Sequence, residues 1–270
     1  MQRYRIGDVA KILGISPDLL RYYEKKGVVR PVKDKTNDYR YYEAWDINFL
    51  VDCLWFKNFG FGIDQISHMV TDCSRESLRE TMQDKQAELR EMIRRQQLLL
   101  RRAEQYCDGL ERAARDLGRC DLIMSPETVR YLNRYNFLYD KSPDLQQLSQ
   151  EWLQYMPFIQ RCFEIERDVL LSGGSEYAWG FALDMDYVRE FGVKIEPPVV
   201  QLPSQLCLHS VFKSAGKDQF APRHMDYMVD YAEKNGLAIT GSAHGNLLCS
   251  ALEDGALTGY FEVWLPVEQK

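Results

Sequence analysis

The chain is 270 residues long, acidic overall with a formal net charge of -6, and 45% hydrophobic, which is enough for more than one packed core. No apolar run is long enough to cross a bilayer, no signal peptide stands before the first charged residues, and the seven cysteines form no CxxC pair. These features exclude a membrane-spanning protein and a disulfide-stapled secreted one, and point to a cytoplasmic protein with reduced thiols.

The charge is unevenly spread. Residues 1–46 carry ten Lys or Arg against seven Asp or Glu, a net of +3, while residues 120–270 carry twelve against twenty-one, a net of -9. The basic head suits phosphate, and the acidic remainder needs another role. In the head, Ile6, Val9, Ala10 and Leu13 recur at helical spacing and predict a short amphipathic helix ended by Gly14. A second helix should follow, with Ser16 at the N-cap, Pro17 at the first helical position and Asp18 at the positive helix end. Leu19, Leu20 and Tyr23 then face the core, which leaves Arg21, Tyr22, Lys25 and Lys26 free to reach phosphate oxygens or base edges. Gly27 closes the helix. Pro31 through Asn37 is polar and turn-rich, and Tyr39, Arg40, Tyr41 and Tyr42 read as the returning strand of a hairpin. That order is the skeleton of a winged helix-turn-helix, a DNA reader.

Three motifs in sequence, IGDVAKILGIS, LRYYEKKGVVRP and TNDYRYYE, resemble the N-terminal domain of the MerR family of bacterial transcription regulators. The segment LWFKNFGFGIDQISHM, within residues 45–70, is similar to that family's second helix-turn-helix. The resemblance implies DNA contacts from Ser16, Arg21 and Tyr22 on the recognition helix, Tyr39 and Arg40 on the wing, and Lys57. The chain departs from the family's usual pattern after the cap, where it has Pro17, Asp18 and Leu19.

Ser74 to Leu117 reads as one long helix without proline and with Gly109 as its one glycine. Leu78, Met82, Lys85, Leu89, Met92, Gln96, Leu99, Ala103, Tyr106, Leu110, Ala113 and Leu117 repeat in alternating steps of four and three, a heptad seam with Lys85 and Gln96 as polar interruptions. Such a seam predicts a coiled-coil homodimer, and the MerR resemblance implies an antiparallel one on a two-fold operator.

Beyond Gly118 the pattern turns mixed, with enough length for an independent α+β domain. Long helices are predicted over Ser142 to Phe163 and Gln219 to Asn235. Strands are predicted at Asp121 to Met124, Tyr177 to Asp184, Val199 to Phe212, Ile239 to Ala251 and Thr258 to Val267. The whole reads as two rough copies of strand, helix, strand, strand, in an antiparallel sheet with helices on one face. Alternation puts Tyr177, Trp179, Phe181 and Leu183 on one face of their strand and the small Ala178, Gly180 and Ala182 on the other. On the last strand Tyr260, Glu262 and Trp264 share a face, and a carboxylate between aromatics calls for a cationic partner, from the protein or from a ligand.

From about residue 120 to its ending in YFEVWLPV, the chain resembles the GyrI-like effector-binding domain joined to MerR heads in BmrR-type multidrug regulators. That likeness implies a pocket for lipophilic, often cationic compounds, with Glu262 as the carboxylate and Trp152, Tyr155, Trp179, Tyr260 and Trp264 as aromatic walls. The expected domains are 1–73 (winged helix-turn-helix), 74–118 (dimer helix) and 119–270 (effector-binding). The expected partners are promoter DNA, RNA polymerase, a second copy and a small ligand, with no cofactor and no membrane. The family likeness also implies activation by distorting the promoter. Two alternatives stand beside this reading. Metal-sensing relatives use cysteines near the ends of the dimer helix, where Cys73, Cys107 and Cys120 lie, and some GyrI-like domains are hydrolases that would use Glu262 as a base.

Overall fold

The computed structural model describes residues 3–34, 39–216 and 220–270. The chain divides into two compact units, 1–95 and 96–270. The predicted turn over Pro31–Asn37 and the predicted start of a helix at Gln219 fall partly outside the described residues.

The first unit begins with strand β1 (Tyr4–Arg5), helix α1 (Ile6–Leu13) and helix α2 (Pro17–Lys25), followed by β2 (Val32–Lys33) and β3 (Arg40–Tyr42). The caps are those the sequence specifies. Ser16 Oγ accepts the Leu19 N–H at 3.1 Å, Pro17 opens α2, and Gly14 ends α1 with φ of 64° in the left-handed region. The three short strands form one sheet in the order β1-β3-β2, the wing. Glu24 of α2 ties the wing to the helix, since it accepts from Arg40 Nε at 2.8 Å and from the Tyr42 hydroxyl. Helices α3 (Ala44–Asn58) and α4 (Ile63–Thr71) complete the unit around a core that includes Val9, Leu20, Tyr23, Tyr42, Leu50 and Ile66.

Helix α5 (Arg75–Arg115) spans 41 residues, close to the predicted range. Its seam positions are divided among different surroundings. Leu78 and Met82 pack on the core of the first unit, and Lys85 is buried there, its Nζ 5.0 Å from the centre of the Phe61 ring and paired with Glu88. Leu99 and Ala113 pack in the second unit, beside Leu98 from outside the seam. Met92 of the seam, at 53% exposure, is open to solvent, as are Ile93 and Leu100 outside it.

The second unit continues with β4 (Asp121–Met124), β5 (Thr128–Tyr135), β6 (Leu138–Tyr139), α6 (Pro143–Leu153), β7 (Gln160–Ile165), α7 (Arg167–Ser172), β8 (Ala178–Asp184) and α8 (Met185–Phe191). It closes with β9 (Val200–Leu202), β10 (Leu206–Ala215), a 3-10 turn at Pro222–Met225, α9 (Asp226–Lys234), β11 (Leu237–Ile239), β12 (Ala243–Glu253) and β13 (Ala256–Gln269). All ladders are antiparallel, in the order β4-β10-β13-β12-β7-β8-β5-β6.

Strand, helix, strand, strand does occur twice, as β5-α6-β7-β8 and β10-α9-β12-β13, and the copies join where β7 pairs β12. Several predicted boundaries are corrected. The helix predicted to Phe163 stops at Leu153, because Pro157 lacks an N–H and disfavours helical geometry in the residue before it; the remainder becomes β7. The first strand of the first copy is β5, which the sequence reading missed, whereas β4 pairs β10 at the edge. Pro203 divides the predicted Val199–Phe212 strand, and Thr240–Ser242 separates β11 from β12. The predicted second helix is a 3-10 turn followed by α9.

One face of the sheet carries Phe163, Phe212, Phe261 and Val263 under α9, and Val129, Tyr131 and Leu183 beside Trp152 of α6. The opposite face meets the C-terminal part of α5 through Ala113, Val211, Leu248 and Cys249. Gly180 is needed where β8 crosses β5, since a Cβ there would lie 1.8 Å from Tyr131 O and 2.8 Å from Leu132 Cα. Gly180→Ala should therefore destabilise the second unit by about 1–3 kcal/mol, seen as a lower urea midpoint at unchanged slope. An unchanged midpoint would contradict this close approach.

Candidate functional site

In the first unit, the residues predicted to touch DNA sit on α2, the wing and α3. Arg21 and Tyr22 are exposed on α2, and Lys57 is exposed near the end of α3. Arg21 pairs with Asp18 one turn earlier. Tyr39 is exposed and lies under the Arg5 guanidinium, 5.2 Å from its ring centre. Ser16 is occupied in capping and Arg40 in its Glu24 pair, so each has a structural task in addition to the predicted one.

The second unit holds a cavity of about 380 Å³ between α5 and the sheet. Directly opposed residues of an antiparallel ladder share a face, so the pairings trace the sheet face below it, of which Asn246, Glu262 and Trp264 line the cavity itself. One row runs Val211, Glu262, Asn246, Cys162, Gly180, and the next runs His209, Trp264, His244, Glu164, Ala178. The small residues predicted for one face of β8 lie on this face. Their alternation continues to Asp184, which lines the cavity.

Glu262 is 6% exposed, and both of its close partners come from elsewhere in the fold. Arg112 Nε of α5 donates to Glu262 Oε1 at 3.0 Å, and His209 Nε2 lies 3.0 Å from the same oxygen. Arg102, Gln105, Tyr106, Asp108 and Gly109 of α5 form the rest of the helix side. Burial holds the Asp184 carboxyl above its ordinary range, while the Arg102 guanidinium pulls the other way. The wall therefore offers three acidic side chains, Asp108, Asp184 and Glu262, against two arginines, Arg102 and Arg112.

Of the predicted ligand residues, the cavity brings together Glu262 and Trp264. The others lie elsewhere, a correction to the expected aromatic wall. Trp152 is 2% exposed in the core, edge-on to Tyr131, and Tyr155 stacks on Phe191 with ring centres 5.2 Å apart. Trp179 packs on Phe163, Phe220 and Phe261, on the sheet face away from Glu262. Tyr260 shares the face of Glu262, but packs beside Ala113 and Leu248 and donates its hydroxyl to Glu253. Sequence reasoning missed Arg112, His209, Asp184 and Tyr106. The alternation that gave the small face of β8 already contained Asp184, and the helical spacing from Tyr106 to Gly109 to Arg112 marks one stripe of α5.

Comparison with known proteins bears on the first unit. Residues 4–73 match the family described as MerR HTH family regulatory protein. They are a MerR-family helix-turn-helix domain. Over 65 residues the chain is 35% identical to the HTH-type transcriptional regulator CueR of Escherichia coli, covering 24% of this chain and 48% of CueR. Over 97 residues it is 29% identical to the HTH-type transcriptional activator mta of Bacillus subtilis, covering 34% of this chain and 38% of mta. A solved EcmrR–DNA complex aligns over 99% of this chain and 100% of that chain, at 19% identity and a TM-score of 0.37. The chain spans about half or less of the length of these curated relatives.

Cys73 is half-buried between α4 and α5. Cys107 is exposed on α5, and burial pushes the Cys120 thiol up to about 11, away from the thiolate that a soft metal needs. Among the described residues no group of three His, Cys, Asp or Glu could hold a metal within one chain. No described helix is long and apolar enough to cross a membrane.

His244, stacked on Trp264 with ring centres 6.1 Å apart, is lowered from 6.5 to about 4 by burial and by the nearby Arg130 guanidinium. A lowered histidine is neutral in the fold and takes up a proton on unfolding, so stability should fall as pH drops from about 6.5 towards about 4. Urea titrations across that window should show the slope reduced in His244→Gln. A slope identical to that of the parent would remove His244 as its source.

Proposed function

We propose that the protein is a homodimeric, ligand-responsive transcription regulator that binds promoter DNA through its MerR-type head and lipophilic, often cationic, small molecules through the cavity beneath α5. The observation that carries the ligand reading is Glu262, a carboxylate buried on a cavity wall and neutralised by an arginine of the long helix. A cation entering the cavity competes with Arg112 for Glu262, while Trp264 and Tyr106 offer ring faces worth about 0.5–2 kcal/mol each to a cation placed over them. The release of Arg112 then changes how α5 is held on the sheet, which gives the ligand a differential effect on two states of the protein.

DNA binding is assigned to Arg21, Tyr22, Tyr39, Arg40 and Lys57, with Ser16 setting the start of the recognition helix. The domain match and the exposed cations of α2 and α3 support this. Dimerisation is supported by the solvent-facing Met92, Ile93 and Leu100 of α5, which none of the packed cores covers. Activation through DNA distortion, with RNA polymerase as the recipient, accords with one relative being a transcriptional activator. Bending a site of this size takes on the order of 1–6 kcal/mol, within reach of differential ligand binding. Regulation, rather than catalysis or metal sensing, suits a helix-turn-helix head joined to a cavity with no paired nucleophile and base. A cytoplasmic location follows from this reading.

Two substitutions at the ion pair should act in opposite directions. Glu262→Gln should weaken lipophilic-cation binding about tenfold or more in tryptophan fluorescence titrations and leave operator binding unchanged in gel shifts. Arg112→Gln, which removes the internal competitor, should tighten it several-fold. Weakening by both would refute competition. Equal loss of ligand and operator binding in Glu262→Gln would refute the pocket assignment. Separately, Arg21→Ala should weaken operator binding without altering the ligand titration.

A further inference from the structure

Next to the cavity lies a chamber of about 10 Å³, lined by Thr128, Arg130, Cys162, His244 and Gly245, among others. Pro126, Asn246 and Trp264 line both spaces, so the chamber adjoins the cavity floor. Its volume matches about one water-sized atom.

Arg130 dominates this chamber. It is 5% exposed on β5, and one terminal nitrogen donates to Glu164 of β7. Its Nε and NH1 have no acceptor among the described residues, and neither has the indole N–H of Trp264. Buried donors are rarely left unmatched, and both residues that carry these three line one small space. The neutral acceptors that line the chamber, Thr128, Asn246 and His244, make no hydrogen bond to these nitrogens. Burial pushes the Cys162 thiol up to about 12, and His244 is kept neutral. The charge of Arg130 is already balanced by Glu164, so the missing partner is an oxygen acceptor without charge of its own.

Resting on the ligand reading above, we infer that the chamber beside Arg130 is an acceptor subsite, and that the effector class is a lipophilic cation carrying a neutral carbonyl-type oxygen. The cationic end meets the carboxylates of Glu262 and Asp184 in the main cavity. The oxygen enters the chamber and accepts from Arg130. A ligand oxygen there also replaces water that would otherwise fill the space, so the discrimination falls on the presence of the acceptor and not on ligand bulk.

The test uses three probes that share one cation: phenyltrimethylammonium, its para-acetyl derivative and its para-carboxylate derivative. Each is titrated into the full-length protein by tryptophan fluorescence. The para-acetyl probe should bind about tenfold tighter than the parent cation, as expected for one satisfied buried hydrogen bond, and the carboxylate should gain less because Glu164 is close. Arg130→Met alone strands Glu164, so the decisive variant is Arg130→Met with Glu164→Gln, which removes donor and charge together. In it the advantage of the acetyl probe should disappear while the parent cation binds as before. Equal binding of all three probes to the unmodified protein would overturn the subsite and leave the cation cavity standing, with the chamber holding a structural water. A carboxylate that binds tightest would overturn the neutral-acceptor class, and an advantage that survives in the double variant would overturn the role of Arg130. Binding of none of the probes would overturn the cavity as a cation site and the subsite with it.

Discussion

The ion pair between Glu262 and Arg112 is the constraint around which the second unit is organised. A carboxylate in the middle of β13 is largely withdrawn from bulk water, and unpaired it would be protonated or would destabilise the fold by several kcal/mol. Its partners come from a neighbouring strand, His209 on β10, and from a helix 150 residues earlier in the chain. The pair therefore fixes the end of α5 against one face of the sheet. Because both partners are long side chains meeting across a gap, helix and floor stand apart between them and enclose a cavity. A hydrophobic contact at the same place would have closed it.

The duplicated strand-helix-strand-strand pattern explains why that face is available. In each copy the helix covers the same side of the sheet: Phe261 and Val263 lie under α9, and Tyr131 and Leu183 beside α6. Joining the copies through β7 and β12 makes one continuous sheet, whose second side has no helix from either copy. The C-terminal part of α5 supplies the cover. Small residues keep this side of the sheet low at β8, where Ala178, Gly180 and Ala182 alternate along it.

How much of this could be read from the chain depended on the range of the interactions involved. The helix-turn-helix was legible because its signals are local: Ser16 and Pro17 open α2, and Gly14 closes α1. The length of α5 was equally plain. The helix predicted through Phe163 is not formed: apolar residues at 148, 152, 155, 159 and 163 keep helical spacing on both sides of Pro157, so the periodicity runs on past the residue that ends the helix. At the site, alternation correctly placed Glu262 and Trp264 on one face, yet it could not tell which aromatics lie above that face and which lie below. Trp179 went to the wrong side for that reason. Arg112 and His209 were invisible because what joins them to Glu262 is tertiary proximity, which no spacing along the sequence encodes.

The division of α5 between two cores has a thermodynamic consequence. Its first turns are held by Leu78, Met82 and Lys85 against the MerR-type domain, its second half by Leu98, Leu99 and Ala113 in the other unit, and Met92 and Ile93 between them are exposed. A helix anchored in this way transmits order along its backbone hydrogen bonds alone across the middle, where propagation adds only a small free energy per residue. In the single chain the two ends therefore fall in separate packing units, for which a single free energy of unfolding is not the expected description. The indoles are divided in the same way, Trp45 and Trp55 in one unit and Trp152, Trp179 and Trp264 in the other, so each set reports on the order of its own unit.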